Sequence, residues 1–117
     1  MKINIYTANT EESVAHAGRG FVKTVRLLAK GATTSGCNFI DFTVVPPGSS
    51  IGLHRHAQSE EEYYLVLNGE GIMTVDGSEF PVSTGDLIRN CPGGEHALAN
   101  CGVADIHLFV FEVPVPK

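Results

Sequence analysis

The stretch GSSIGLHRH (residues 48–56), followed after a short acidic run by EYYLVLNGEG (residues 62–71), decides how this chain folds. It places His54 and His56 two positions apart, and alternate side chains of a β-strand lie on the same face, so both imidazoles point the same way. A neighbouring strand that begins near Glu62 brings a carboxylate opposite them. Two imidazoles and a carboxylate that converge on one point form a site for a divalent metal ion, and His96 supplies a fourth ligand.

Short apolar segments separated by turn residues continue on both sides of this stretch. NFIDFTVV (residues 38–45) reads as a strand that stops at Pro46, and GIMTV, EFPV, DLIR, HALA and DIHLFVFEV follow in the same manner. Asp76-Gly77 is a two-residue hairpin signal, and Asn68-Gly69 is a second turn signal. Seven or eight short strands at this spacing predict an all-β domain, a sandwich or barrel of antiparallel sheets.

The N-terminal segment differs from the rest of the chain. Asn9 stands three positions before Glu12, and this capping pattern predicts a short helical turn over about residues 11–17. On that turn His16 is either an exposed residue or a stray ligand. At 117 residues the chain is long enough for one domain, residues 1–117, which we divide into a short arm over about 1–20 and a barrel over about 21–115.

Composition excludes several classes of partner. The formal net charge is −5 and the eight lysines and arginines are scattered singly, so we expect no nucleic-acid partner. No segment approaches the roughly 20 apolar residues that cross a bilayer, so we expect no membrane partner, and the N-terminus lacks the apolar core of a signal peptide. Three cysteines (Cys37, Cys91 and Cys101) without a CxxC spacing favour a reducing, cytoplasmic setting over a disulfide scaffold.

The ligand types restrict the metal. Three neutral imidazoles and one carboxylate suit one divalent transition metal (Mn, Fe, Co, Ni or Zn) rather than Ca or Mg. In an octahedral complex, four protein ligands leave two positions open, where a substrate can chelate or a water can be activated.

Two stretches resemble the motifs of the cupin superfamily, and the small single-domain cupins in particular. The first is similar to G-x5-H-x-H-x(3,4)-E-x6-G, with Gly48, His54, His56, Glu62 and Gly69 at the matching positions. The second, GDLIRNCPGGEHALAN, is similar to G-x5-P-x-G-x2-H-x3-N, with Gly85, Gly93, His96 and Asn100 at the matching positions.

Two departures from these motifs bear on the site. Five residues separate His56 from Glu62, one more than the motif allows, so Glu60 and Glu61 compete with Glu62 as the ligand. Only Glu62 keeps the spacing to Gly69, which favours it. Cys91 stands where the second motif has proline, and Pro92 follows it directly.

The resemblance implies a jelly-roll β-barrel with the metal inside it and commonly a homodimer, a state that strands apolar on both faces also favour. It does not imply one reaction, because cupins include dioxygenases, isomerases, decarboxylases, lyases and sugar-binding modules. We expect a metal-dependent enzyme that acts on a small oxygen-rich molecule, such as a hydroxy acid, keto acid or sugar. The alternative is a module that binds such a molecule without turnover.

Two residues outside the ligand set are candidates for catalysis. Tyr64 shares the strand face of Glu62 and either donates a hydrogen bond to a substrate or fills the barrel. His107 lies in the last strand and is either a general base near the metal or a polar residue on the outer sheet. Arg89 is either an anion-binding residue or a surface side chain, and Asn100 ties its turn through bonds to the backbone.

Overall fold

The structure is a computed structural model that describes residues 1–116, and these residues form ten β-strands and no helix. Consequently no helix of this described part is long and apolar enough to cross a bilayer. The strands are β1 (Glu11–Ser13), β2 (Val22–Leu28), β3 (Phe39–Val45), β4 (Ser50–Arg55), β5 (Glu60–Asn68), β6 (Glu70–Val75), β7 (Ser78–Ser83), β8 (Leu87–Asn90), β9 (Glu95–Ala99) and β10 (Ile106–Pro114).

The predicted helical turn over residues 11–17 is wrong. Residues 11–13 are β1, whose Glu11 pairs with Thr24 of β2 at the edge of a sheet. Beyond it, His16 and Ala17 have left-handed φ values of 50° and 56°, which a right-handed helix excludes. Pairing with β2 supplies backbone hydrogen bonds that a local capping signal cannot outweigh.

The strands form two antiparallel sheets that pack as a jelly-roll β-barrel, as the resemblance implied. The six-stranded sheet has the order β1-β2-β3-β10-β5-β8, and the four-stranded sheet has the order β4-β9-β6-β7. Some neighbours in a sheet are distant in the chain, since β10 lies between β3 and β5 and β9 lies between β4 and β6. The division into an arm and a barrel within a single domain remains a prediction.

The two turn signals act differently. Asp76 and Gly77, with φ of 47° and 83°, connect β6 to β7 in a tight hairpin closed by the Val75–Ser78 pair. Asn68-Gly69 instead carries the chain from the six-stranded to the four-stranded sheet. Gly69 is required there because its φ is 103° and an added Cβ would lie 2.6 Å from the Asp105 carbonyl oxygen.

The core lies between the sheets, where apolar side chains from both inner faces meet; its most buried members include Val45, Val66, Met73, Leu98, Ile106 and Leu108. Polar side chains are buried in the same interlayer space, and these include Asp41, Glu62, Asn90, His96, Asn100 and Glu112. Burying ionisable groups is costly unless they are paired or bind a metal. The buried ionisable residues among them (Asp41, Glu62, His96 and Glu112) therefore mark the candidate functional site.

Candidate metal centre

The four predicted ligands lie together between the two sheets. His54 lies near the end of β4 and pairs with His96 of β9, whereas Glu62 belongs to β5 in the opposite sheet. His56 follows β4 directly, and its backbone N–H donates to the Gly94 carbonyl 3.1 Å away. One ligand atom from each of the four residues lies within 4.8 Å of the others, so the cluster could hold a metal ion.

A β-bulge in β4 turns His54 toward the interior. Ile51 pairs with Leu98 and His54 pairs with His96, so three steps along β4 match two steps along β9. The extra residue reverses the alternation of faces, and both Ile51 and His54 line the same cavity. His54 and His56 lie on the same face, as strand alternation predicted. Without the bulge, alternation that starts from the inward-facing Ile51 would have placed both histidines on the solvent side.

Hydrogen bonds orient the imidazole rings. His54 Nδ1 lies 2.7 Å from the Gly52 carbonyl oxygen, so it carries the proton and Nε2 is free for a metal. His96 Nε2 lies 3.1 Å from Glu62 Oε1. His56 Nδ1 lies 3.1 Å from Glu112 Oε1 and 3.5 Å from Glu60 Oε2. Each ring thus directs one nitrogen toward the centre of the cluster or toward a carboxylate that fixes its plane.

One atom of the cluster tests whether a metal fits. His56 Nε2 is buried and has no hydrogen-bond partner in the described residues, although Glu62 Oε1 lies 3.3 Å away. A buried nitrogen without a partner is costly, and a metal ion on that atom would remove the cost. The donor set and this unpartnered nitrogen fit a divalent transition metal.

The structure distinguishes among the three consecutive glutamates. Glu62 is 5% exposed and faces His56 and His96. Glu61 points to the opposite face, where Arg89 donates to its carboxylate. Glu60 lies beside His56 and Glu112 and forms a second cluster with them that is also able to hold an ion. Glu62 is therefore the carboxylate that shares the site with all three histidines.

The charges within the cluster shift several pKa values. Burial raises the pKa of Glu62, but the nearby His56 and His96 rings outweigh this effect and lower the pKa to about 2. The Glu62 carboxylate in turn raises the pKa of His56 to about 9. Burial lowers the pKa of His54 to about 4, so this ring is neutral at pH 7. A metal must displace the His56 proton, because only a neutral imidazole coordinates.

A cavity of about 320 Å³ opens onto the cluster. Its lining combines apolar and ionisable side chains: Ala15, His16, Val22, Thr24, Arg26, Phe39, Asp41, Thr43, Ile51, His54, His56, Glu60, Glu62, Tyr64, Val110 and Glu112. Arg26 is the one arginine or lysine among them, and it donates two hydrogen bonds, 2.9 and 3.0 Å long, to Asp41. The four carboxylates of the lining therefore outnumber its permanent cations.

The two candidate catalytic residues lie in different places. Tyr64 is 3% exposed and lines the cavity, with its ring perpendicular to that of His96 at 5.4 Å. Burial raises the pKa of Tyr64 well above 10, so its hydroxyl keeps its proton. His107 lies on the outer face of the six-stranded sheet against Phe42 and Tyr6, and it does not line the cavity. A catalytic role for either residue remains a prediction.

Sequence reasoning missed Glu112 and left His16 as either an exposed residue or a stray ligand. His16 stacks on His54 with the ring centroids 3.5 Å apart and the planes 7° from parallel. Glu112 pairs across the sheet with Glu62 and accepts a hydrogen bond from Asn38 Nδ2. No signal near these residues in the sequence indicated the site, because an arm and a distant strand bring them there.

The other residues singled out from the sequence are structural or lie near the surface. Asn100 donates 2.8 Å hydrogen bonds to the Val45 and Ala104 carbonyl oxygens and accepts one from the Gly102 N–H, as predicted for a residue that ties a turn. Arg89 pairs with Glu61 on the outer face. Cys91 and Cys101 are free thiols that do not line the cavity.

Comparisons with known proteins agree with this geometry. A family model described as a cupin domain (Cupin_2) matches residues 41–112, which contain all four candidate ligands. An oxalate-binding protein of Thermotoga maritima is 36% identical over 89 residues, which are 76% of this chain and 73% of that protein.

Solved structures show the same fold. The crystal structure of a predicted oxalate decarboxylase from Thermotoga maritima superposes with a TM-score of 0.92 at 30% identity and covers 98% of this chain and 100% of that one. A sugar phosphate isomerase of the cupin superfamily from Silicibacter pomeroyi gives a TM-score of 0.78 at 20% identity, with 99% of this chain and 77% of that one covered. The second likeness concerns the fold alone.

Proposed function

This chain belongs to the Cupin_2 family of cupin domains, and from that premise we propose that it is a metal-dependent enzyme acting on a small oxygen-rich acid. The acid is of the oxalate class, and the reaction is the cleavage of a carbon–carbon bond by decarboxylation. The observation that carries the proposal is the cluster of His54, His56, Glu62 and His96, three of which line one cavity of about 320 Å³ (His54, His56 and Glu62).

The charge of the cavity supports a role for the metal in binding an acid. Asp41, Glu60, Glu62 and Glu112 line the cavity, and Arg26 is already paired with Asp41. These carboxylates would repel an anion. A divalent ion held by the four ligands supplies positive charge and open positions that two oxygens of an acid can occupy.

The relatives narrow the class of acid. The matched protein of Thermotoga maritima is named for oxalate binding, and the structure that superposes over nearly the whole chain is described as a predicted oxalate decarboxylase. Oxalate has six heavy atoms and fits a cavity near the lower end of the usual size range for ligand sites. Hydroxy and keto acids present the same pair of oxygens.

The decarboxylation requires a proton from the chain. When the carbon–carbon bond of oxalate breaks, carbon dioxide leaves and the electron pair remains on the other carbon, which takes up a proton to give formate. Glu60 and Glu112 both line the cavity. Burial and the neighbouring Glu60 carboxyl raise the pKa of Glu112 to about 7, so this pair holds a proton near neutral pH. We assign the proton transfer to this pair, with the Tyr64 hydroxyl as a second donor.

A second candidate is binding of the acid without turnover. It is favoured by the name of the relative that is 36% identical. The two candidates share the metal and the cavity and differ only in product formation.

The test begins with elemental analysis of protein purified without added metal, followed by calorimetry with oxalate and with acetate as the one-carboxylate control. We expect bound transition metal, oxalate binding that a chelator abolishes, and formate and carbon dioxide as products. Glu62→Gln should lose metal, and Glu61→Gln is the matched control on the other strand face. Absence of metal from wild-type protein, before and after addition of Mn, Fe, Co, Ni and Zn salts, would contradict the proposal. Oxalate binding without products would select the second candidate.

We also infer a homodimer and a cytoplasmic location. The outer face of β5 and β10 carries the aromatic side chains Tyr63, Phe109 and Phe111, which pack on one another and are only partly buried. A second copy would cover this surface. The free thiols of the three cysteines suit a reducing compartment. Light scattering coupled to size exclusion tests the dimer, with a monomer mass as the contrary result.

A further inference from the structure

The N-terminal arm is bound to the edge of the four-stranded sheet beside the candidate metal centre. The Gly52 N–H donates to the Ala15 carbonyl at 3.0 Å, and the Ser50 N–H donates to the Arg19 carbonyl at 2.9 Å. The Arg19 N–H donates to Ser50 Oγ at 2.8 Å. Residues 15–19 therefore lie along β4, at the bulge that turns His54 inward.

Two glycines let the arm approach this closely. A Cβ on Gly52 would lie 2.1 Å from the His16 carbonyl oxygen, and one on Gly18 would lie 2.2 Å from the Ser50 carbonyl oxygen. These distances are shorter than any contact between a non-bonded carbon and oxygen atom. Each position therefore accepts only glycine unless the backbone moves. Both the arm, through Gly18, and β4, through Gly52, thus have the sequence that their close contact requires.

The arm holds the His16 ring at the mouth of the cavity in an unusual backbone conformation. The φ values of His16 and Ala17 are 50° and 56°, in a region that residues other than glycine rarely adopt. The ring covers one face of His54 at 3.5 Å, yet His16 remains exposed and lines the cavity. Among residues 1–116, no side-chain hydrogen bond involves its ring nitrogens.

We propose that His16 is a ligand-binding residue, whose ring donates a hydrogen bond to an oxygen of the acid held in the cavity. The inference rests on the proposed function, since that acid is the one bound at the metal. His16 is not part of the group of four whose ligand atoms lie within 4.8 Å of one another, so its partner is the acid rather than the metal. Stacking on His54 holds its ring in place for this contact.

The hydrogen-bonding capacity of His16, and not only its position, suits it to bind an acid. An acid that chelated the metal through two oxygens would leave its remaining oxygens to the cavity, where the lining carries four carboxylates. A neutral imidazole always carries one N–H, so His16 offers a donor in a cavity where ionised carboxylates offer only acceptors. His16 would thereby favour acids with a second oxygen-bearing group over simple monocarboxylates.

The experiment compares His16→Phe and His16→Gly with wild type in calorimetric titrations of Mn²⁺ and then of oxalate into the Mn²⁺-loaded protein. Phenylalanine keeps a ring on His54 but removes the N–H, whereas glycine removes the ring and suits the left-handed backbone. We expect both variants to weaken oxalate binding about tenfold, the effect of one lost hydrogen bond to an anion, with Mn²⁺ affinity of His16→Phe within about twofold of wild type. Val14→Ala, on the exposed part of the arm at a residue that does not line the cavity, is the matched control and should change neither affinity.

Each outcome decides the proposal. Oxalate affinity equal to wild type in both variants would overturn it. Equal affinity in His16→Phe with weaker Mn²⁺ and oxalate binding in His16→Gly would also overturn it, because His16 would then only orient His54. A wild-type protein that binds Mn²⁺ but no oxalate overturns the proposed function and this role together. Thermal melts check that the variants fold, and His16→Gly carries the test if the strained phenylalanine variant does not.

Discussion

The two faces of β5 carry the same residue types and perform different tasks. Along EEYY, Glu62 and Tyr64 point into the barrel, whereas Glu61 and Tyr63 point outward. Glu62 lies between His56 and His96, and Tyr64 lines the cavity. Glu61 accepts hydrogen bonds from Tyr63 and Arg89 on the outer face. Neighbouring residues of one type thus become a candidate ligand and a surface ion pair.

The difference shows what burial does to a charge. Bonds from Tyr63 and Arg89 lower the pKa of Glu61, and the histidines lower that of Glu62 to about 2 against the opposing effect of burial. Both carboxylates are ionised, but water also solvates the outer one. The inner charge must be matched within the protein, so its loss affects the site, whereas loss of Glu61 affects only the surface.

The largest predicted effect comes from removing the inner carboxylate. Glu62→Ala takes away one of four ligands, so metal affinity should fall by more than about a hundredfold, beyond the range found for residues that merely support a ligand. Glu61→Ala should leave metal affinity unchanged. Metal titration followed by elemental analysis measures both affinities. Equal losses in the two variants would show that the inner and outer glutamates do not differ in metal binding.

A smaller effect is expected from Glu112, which faces Glu62 across the sheet. Glu112→Gln removes the carboxylate 3.1 Å from His56 Nδ1 and should weaken metal binding about tenfold to a hundredfold. The neighbouring outer residue provides the control, because Phe111→Leu keeps an apolar side chain away from the site. Wild-type metal affinity in Glu112→Gln would show that His56 does not need the Glu112 carboxylate.

Variants of Tyr64 and Tyr63 distinguish a role in catalysis from a role in packing. Tyr64→Phe keeps the ring against His96 but removes the buried hydroxyl, and turnover of oxalate should fall about tenfold or more while metal content stays the same. Tyr63→Phe, on the outer face, should leave turnover unchanged. Steady-state rates on metal-loaded proteins measure both. Unchanged turnover in Tyr64→Phe would assign this ring to packing alone.

The smallest effect is expected on the outer face itself. Arg89→Ala removes the ion pair with Glu61. The Arg89 side chain in this pair is 57% exposed. Such pairs contribute little, so the urea midpoint should stay close to that of wild type and metal affinity should not change. A marked loss of stability would mean that the outer face is covered in solution, which would support the inferred homodimer.

Much of the site could be predicted from the sequence because strand alternation is a local rule. His54 and His56 share a face, and the spacing from Glu62 to Gly69 selected the carboxylate that the structure places between the histidines. The Asp76-Gly77 hairpin is confirmed for the same reason, since backbone conformation at these two residues determines the turn.

Residues brought to the site from elsewhere could not be predicted in this way. Nothing near Glu112 or His16 in the sequence indicates that one pairs with the strand of Glu62 and the other stacks on His54. The helical turn predicted for residues 11–17 was wrong because residues 11–13 form the edge strand β1, and pairing with β2, later in the chain, outweighs the local capping signal.

The sequence by itself determined the all-β class, the family and the four candidate ligands, because period-two alternation, turn residues and ligand spacing are properties of short segments. The tertiary structure alone shows where the bulge in β4 falls and how the arm and β10 complete the cavity. These features depend on contacts between segments far apart in the chain, and the free energy of packing and strand pairing, rather than local preference, sets them.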